Sequence, residues 1–509
     1  MNKKNNLKDS KFDQKLLFAR AYEEEVGKKI GKNLRPVFHL TPYIGWMNDP
    51  NGFSFHNGVY HLFYQYNPYN LYWDSMHWGH AISKDMVKWE YLPAALAPDE
   101  IYDADGVFSG SAITLSDGKQ LLMYTGIKKE GGEHGSEFQT QCIAVGDGLN
   151  YTKYENNPVI DETVLPPGLS KNDFRDPKIF KDDDGIYRCV VGSCDDERVG
   201  HILTFSSADC FTWKYEGILI RNDEGFGRMW ECPDFFFLDG HWVFLCSPQD
   251  MLPSGLEYHN GNGTLCLIGE LNNNKSSFSY THNQSVDYGI DFYAPQTTLT
   301  PDGRRIMIGW MQNWDTCKVS DEYDKPWYGQ MTLPREISIK NGRLYQAPIR
   351  ELDAYRTDSY EYKNISVSRE ELKLYGVEGR VLDMTVTIRQ AENKQKYQKF
   401  RIRFAQNEKY WTDLIYTPED EVLQIDRKFS GSRRAFIHQR RCQAKEVNGE
   451  LKLRIILDKY SVEVFVNDGE KTITATIMTE ENAKDISFIA NGEALIDVEK
   501  HSLEKKETK

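Results

Sequence analysis

Three acidic residues in this chain stand at one distance from a turn glycine, although their local motifs differ. Asp49 lies in Trp46-Met-Asn-Asp-Pro-Asn-Gly52 and precedes Gly58 by nine residues. Asp176, in Phe174-Arg-Asp-Pro-Lys178, precedes Gly185 by nine, and Glu231, in Trp230-Glu-Cys-Pro-Asp234, precedes Gly240 by nine. The turns belong to a repeat: Asn57-Gly58, Asp117-Gly118, Asp184-Gly185, Asp239-Gly240 and Asp302-Gly303 each introduce an apolar, β-rich run. Asn-Gly and Asp-Gly pairs tolerate positive φ and mark hairpins. The glycines are 60, 67, 55 and 63 residues apart, room for about four strands per interval. Five such units predict a five-bladed β-propeller over residues 36–346, with the first strand of each blade lining the channel. Equivalent positions then meet near the axis, and the carboxylates converge. Ser109 holds the same offset in the second unit and Ala294 in the fifth.

Around this repeat the chain divides further. Residues 1–35 form a leader with helical character, in which Leu16, Leu17, Tyr22 and Val26 recur near helical spacing. A connector spans 347–359. From 360 to 509 the alternation resumes in VLDMTVTIRQ, KFRIRFAQ, LKLRIILD, YSVEVFVNDG, TITATIMT and DISFIANG, the pattern of a β-sandwich. The fold class is therefore all-β. Aromatic residues make up 13% of the chain, most of them serving blade cores and some available to stack on sugars. A formal charge of −14 speaks against a nucleic-acid surface, and Arg433, Arg434, Arg440 and Arg441 read as a solvated strand face. The start lacks the apolar core of a secretory signal, and no apolar stretch is long enough for a bilayer. With nine cysteines in irregular spacing, the expected compartment is the cytoplasm. Neither a phosphate-binding loop nor a dinucleotide fingerprint is present, and His77 and His80 lack companion ligands. No metal and no cofactor is expected.

Taken in order, WMNDPNG (46–52), FSGSA (108–112), FRDPK (174–178), WECPD (230–234), DFYAPQ (291–296), LPRE (333–336) and DKYSVEVFVNDG (458–469) resemble glycoside hydrolase family 32. This is the family of invertases, sucrose-6-phosphate hydrolases, inulinases and levanases. The resemblance implies a retaining β-fructofuranosidase acting on sucrose, sucrose 6-phosphate or short fructo-oligosaccharides. It assigns Asp49 as nucleophile, Glu231 as acid/base, and Asp176 as a third acid holding fructose hydroxyls. It also implies a substrate shell of Asn48, Gln65, Trp73, Phe108, Ser109, Arg175 and Trp310, with Asp291 and Tyr293 acting at one remove. The chemistry agrees with the residue types. A retaining glycosidase needs a nucleophilic carboxylate and a protonated carboxyl about 5–5.5 Å apart, and neighbouring acids drive their titrations apart. Cys232, beside Glu231, reads as a packing residue.

Two alternatives belong to other classes: an inverting furanosidase of another five-bladed family, and a carbohydrate-binding propeller without catalysis. The partner expected is a small sugar, with no nucleic acid and no membrane, and a homodimer through the C-terminal region is compatible with the sequence. If the leaving glucose carries a phosphate, the expected cationic rim is Lys128, Lys129 and His134 with Arg228.

Overall fold

The computed structural model describes residues 14–131, 136–319, 323–391, 396–431 and 437–504; His134, Arg433 and Arg434 lie outside them. The chain is nearly all β. One helix, Gln14–Gly27, precedes the strands. It docks on the strand Trp89–Leu96, where Glu23 Oε1 accepts the Ala94 amide at 2.8 Å and Arg20 Nε donates to the Ala94 carbonyl at 2.8 Å. Leu16, Tyr22 and Val26 face inward as their spacing predicts. Leu17 does not, and stands 66% exposed, because it is one position away from the inward Leu16 and so points about 100° around the helix.

Five antiparallel sheets follow in chain order. Their first strands are Gly45–His56, Gly106–Thr114, Leu169–Lys181, Trp230–Leu238 and Tyr293–Leu299. The first sheet gains a fifth strand, Trp327–Tyr328, parallel to Gly45–His56. Each first strand packs beside the next, and the fifth returns to the first. All five turn glycines adopt φ between +80° and +87°, the left-handed conformation that the dipeptides predicted. Asn57 and Asp239 share the positive φ, at 49° and 50°, which makes their turns tight two-residue hairpins. The other three turns close over longer loops, with amides of Gly118, Gly185 and Gly303 bonded three residues back.

The equal offset has a physical basis. In all five sheets the first strand bulges at, or immediately after, the position nine residues before the turn. The register breaks between Met47 and Pro50, Phe108 and Gly110, Arg175 and Lys178, Glu231 and Asp234, and Tyr293 and Gln296. Four of the bulges contain proline (Pro50, Pro177, Pro233, Pro295), which has no amide to offer a ladder. A bulge re-aims side chains and frees backbone donors. Here the freed amides run from sheet to sheet. Gly110 N–H donates to Asn51 Oδ1 at 3.1 Å, Asp176 N–H to Thr125 Oγ1 at 2.9 Å, Cys232 N–H to Asp176 Oδ2 at 2.8 Å, and Ala294 N–H to Ser247 Oγ at 2.9 Å. The second to fifth bulges are thus each anchored on the sheet before.

After a 3₁₀ turn at Arg350–Tyr355, sheets of six and five strands enclose one apolar core. The six runs read as strands in the sequence are all present. Further strands such as Arg356–Val367 and Gln439–Gln443, the latter carrying Arg440 and Arg441, complete the sheets. This C-terminal unit is tied to the sheets before it by buried charge. Arg335 sits between Asp287 (3.0 Å) and Glu463 (2.5 Å), and His39 bonds Asp458 and Glu463, both at 2.9 Å. The strand Lys471–Thr476 also accepts the amides of Tyr288 (2.9 Å) and Ile290 (2.8 Å). Asp291 just beyond them is clasped by Arg427 and by Thr476. No helix of the described residues is long and apolar enough to cross a membrane.

Candidate active site

The bulged ends of the first strands open into a polar cavity of about 390 Å³. It is lined by Asn48, Asp49, Gln65, Trp73, Phe108, Ser109, Arg175, Asp176, Glu231, Gln249, Asn262 and Trp314. The three acids singled out by the repeat therefore meet. Asp49 is held through one oxygen: Oδ2 accepts the Ser109 hydroxyl at 2.7 Å and faces Cys232 Sγ at 3.4 Å. Its Oδ1 is buried with no hydrogen-bond partner among the described residues. Burial and the charge of Glu231 raise the Asp49 pKa, while contacts from Ser109, Asn48 and Cys232 pull it back. Asp176 is lifted to about 7, chiefly by burial; Arg175 opposes the shift, and Glu231 and Asp49 add to it.

Glu231 is gripped on both oxygens. Arg175 Nη2 donates to Oε1 at 3.0 Å and Nε at 3.3 Å, while the Tyr293 hydroxyl donates to Oε2 at 2.6 Å. Arg175 also bonds Asp173 at 2.8 Å. The guanidinium fork thus sets the angle of the Glu231 carboxyl, and Tyr293 limits its rotation. Trp46 Nε1 fixes the Asn48 side chain at 2.8 Å, and Gln65 Nε2 donates to the Val107 carbonyl at 3.1 Å. Trp73 meets Phe108 edge-on with centroids 5.5 Å apart, and its indole is 42% exposed. These rings give the cavity an apolar wall.

One expected wall residue is misplaced. Trp310 is fully buried and packs behind the cavity against Trp46 and Trp314. Trp314, four positions later and past the end of the strand Arg305–Trp310, faces the cavity instead. Gln249 and Asn262 were also missed; Asn262 is braced by Asp315 at 2.8 and 2.9 Å. The expected rim lysines do not reach the cavity: Lys128 pairs with Glu130 at 2.5 Å and Lys129 with Glu137 at 3.7 Å. On the strand His77–Ser83, His77 Nδ1 bonds the Ser75 carbonyl and His80 Nε2 faces His61, so the two histidines serve packing.

Residues 39–348 match the family model "Glycosyl hydrolases family 32 N-terminal domain", and residues 351–505 match "Glycosyl hydrolases family 32 C terminal". The chain belongs to glycoside hydrolase family 32. It is similar to the raffinose invertase of Escherichia coli, with 34% identity over 95% of this chain and 98% of that protein. The sucrose-6-phosphate hydrolase of Escherichia coli is 33% identical over 91% and 93%. Among solved structures, the family 32 β-fructofuranosidase of Bombyx mori superposes with a TM-score of 0.82 at 32% identity, covering 97% of this chain and 99% of that one. As a family 32 member the chain is a glycoside hydrolase.

Proposed function

We propose that the protein is a retaining β-fructofuranosidase that hydrolyses terminal β-D-fructofuranosyl bonds in sucrose, sucrose 6-phosphate or short fructo-oligosaccharides. The observation that carries this reading is the division of labour among the converging carboxyls. Asp49 lines the cavity with its carboxylate oriented by the Ser109 hydroxyl, and Glu231 is steered by Arg175 and Tyr293. The Asp49 carboxylate attacks the anomeric C2 as Glu231 protonates the departing oxygen, giving a fructosyl ester on Asp49. Glu231, now a base, takes a proton from water, which attacks C2 and releases Asp49. Asp176, anchored by the Cys232 amide, binds fructose hydroxyls beside the developing positive charge. Asn48, Gln65, Ser109 and Phe108 shape the fructosyl pocket, with Trp73 and Trp314 as its aromatic walls.

The architecture that goes with this function is a five-bladed β-propeller over 36–346, joined to a β-sandwich over 360–509. Cyclic packing of the five first strands and the division between the two family models, 39–348 and 351–505, support it. The unpaired state of all nine cysteines supports a cytoplasmic location. Rapid NMR of the first turnover tests the mechanism. Two displacements release β-fructofuranose before mutarotation, and concentrated sucrose yields some fructosyl transfer. Initial α-fructose defeats the retaining scheme, and an absence of sugar release defeats catalysis altogether.

A further inference from the structure

We propose that Arg198, assisted by Arg228, binds a phosphate carried by the leaving sugar, making Arg198 a specificity-determining residue; the inference rests on the fructosidase reading above. Arg198 Nη2 donates to Gln249 Oε1 at 3.2 Å, and Gln249 lines the active-site cavity. Arg228 flanks the same glutamine from the other direction: its amide donates to the Gln249 carbonyl at 2.7 Å, and the Gln249 amide donates to Met229 O at 2.9 Å. Gln249 is therefore fixed alongside the entry to the strand Trp230–Leu238, which carries Glu231. The glycosidic oxygen must lie within hydrogen-bond reach of Glu231 to be protonated. The leaving sugar then extends past Glu231 toward this part of the mouth.

Both arginines stand exposed beside the cavity rather than in its wall, and both are available to an anion. No carboxylate lies within ion-pair distance of Arg198 among the described residues, and the nearby charge of Asp173 is engaged by Arg175 at 2.8 Å. Among the described residues Arg228 has only Asp250, at 3.9 Å, and its side chain is 57% exposed. Arg198 also occupies a left-handed backbone position, φ 63°, in a turn built on Asp195, whose Oδ1 takes the amides of Glu197 at 3.0 Å and Val199 at 2.9 Å. Glycine fits that backbone at less cost, so the turn presents a guanidinium at the expense of local strain. The cavity floor holds three acids, and the chain carries a formal charge of −14. A dianionic substrate meets a repulsive field there unless cations stand at its phosphate. A guanidinium fork matches phosphate oxygens two at a time.

The test compares kcat/KM for sucrose 6-phosphate, phosphorylated on the glucosyl O6, with that for sucrose. It uses the wild type, Arg198→Gly, Arg198→Lys and Arg228→Gln. Arg198→Gly removes the cation while relaxing the backbone, so a folding defect does not confuse the result. The preference for the phosphorylated substrate falls by about 10- to 100-fold in Arg198→Gly, by less in Arg198→Lys, and measurably in Arg228→Gln. Glucose 6-phosphate inhibits the wild type more strongly than glucose and loses that advantage in Arg198→Gly. An unchanged ratio, a parallel loss on both substrates, or a wild type that cleaves sucrose and rejects its 6-phosphate overturns the assignment. A wild type that cleaves neither refutes the fructosidase reading itself, and this inference with it.

Discussion

Raising the pH through the alkaline range should loosen the joint between the two units of the chain, with His39 as the titrating group. His39 Nδ1 lies 2.9 Å from Asp458 Oδ2 and Nε2 lies 2.9 Å from Glu463 Oε1, and all three side chains are at most 1% exposed. A neutral imidazole has one N–H, so one of its nitrogens would turn a lone pair toward a carboxylate oxygen. Only the imidazolium satisfies both contacts. Burial works against the charge, but hydrogen bonds to Asp458 and Glu463 and the charges of both outweigh it and lift the pKa to about 9. A folded-state pKa above the unfolded value of 6.5 means that the stabilisation is complete below pH 6.5 and is lost as pH rises through 9. The shift corresponds to about 3 kcal/mol. On the acid side the sign reverses. Asp458 and Glu463 lie below the ordinary carboxylate range because His39 and backbone amides, and for Glu463 also Arg335, outweigh burial. Their contribution is present above that ordinary range and fades as pH falls through the depressed values. Urea unfolding of the wild type and His39→Gln from pH 6 to 10 isolates the histidine from other titrating groups. The stability gap should be widest at pH 6 and shrink by about 3 kcal/mol by pH 10. A gap that stays flat, or widens with pH, refutes the charged-imidazole account.

Asp49→Asn should lower kcat on sucrose by at least about a thousandfold with an unchanged far-UV spectrum, because an amide cannot form the fructosyl ester; mass spectrometry excludes deamidation. Glu231→Gln should cost about 10²- to 10⁴-fold on sucrose and much less on a fructoside with an activated leaving group, compared by steady-state kinetics. Ser109→Ala removes the hydroxyl that holds the Asp49 carboxylate ionised, so the acidic limb of the kcat/KM profile should move up by about one pH unit. A limb that stays in place assigns that ionisation elsewhere.

Much of the site was legible because the repeat and the chemistry coincide. The Asp-Pro, Cys-Pro and Ala-Pro steps that flagged the motifs are the bulges that turn those side chains inward, and Asp49, Asp176 and Glu231 were found by counting back from the turn glycines. What escaped is set by loops and packing. Strand periodicity does not decide between Trp310, which ends a strand, and Trp314 in the turn beyond it; the Trp46 stack does. Gln249 and Asn262 come from the long connection between the second and third strands of the fourth sheet, which carries no repeat signal. Arg198 sits where a turn glycine would be expected. Lys128 and Lys129 looked free in sequence, but neighbouring glutamates claim them. In the C-terminal unit the clearly alternating strands were found, whereas Arg356–Val367 was not, since it has few apolar positions and lies mostly in solvent.

Among the described residues the C-terminal unit sends no side chain into the cavity, yet it bears on the proton donor. Its strand Lys471–Thr476 and its Arg427 hold the segment from Tyr288 to Asp291, and two residues further on Tyr293 reaches the carboxyl of Glu231. The aim of the acid is therefore set partly from outside the cavity. A chain ending after Pro348 would keep every described residue that lines the cavity and lose the brace behind one of them. Such a fragment should bind fructose better than it cleaves a fructoside, which gives selection a reason to keep the two units on one polypeptide.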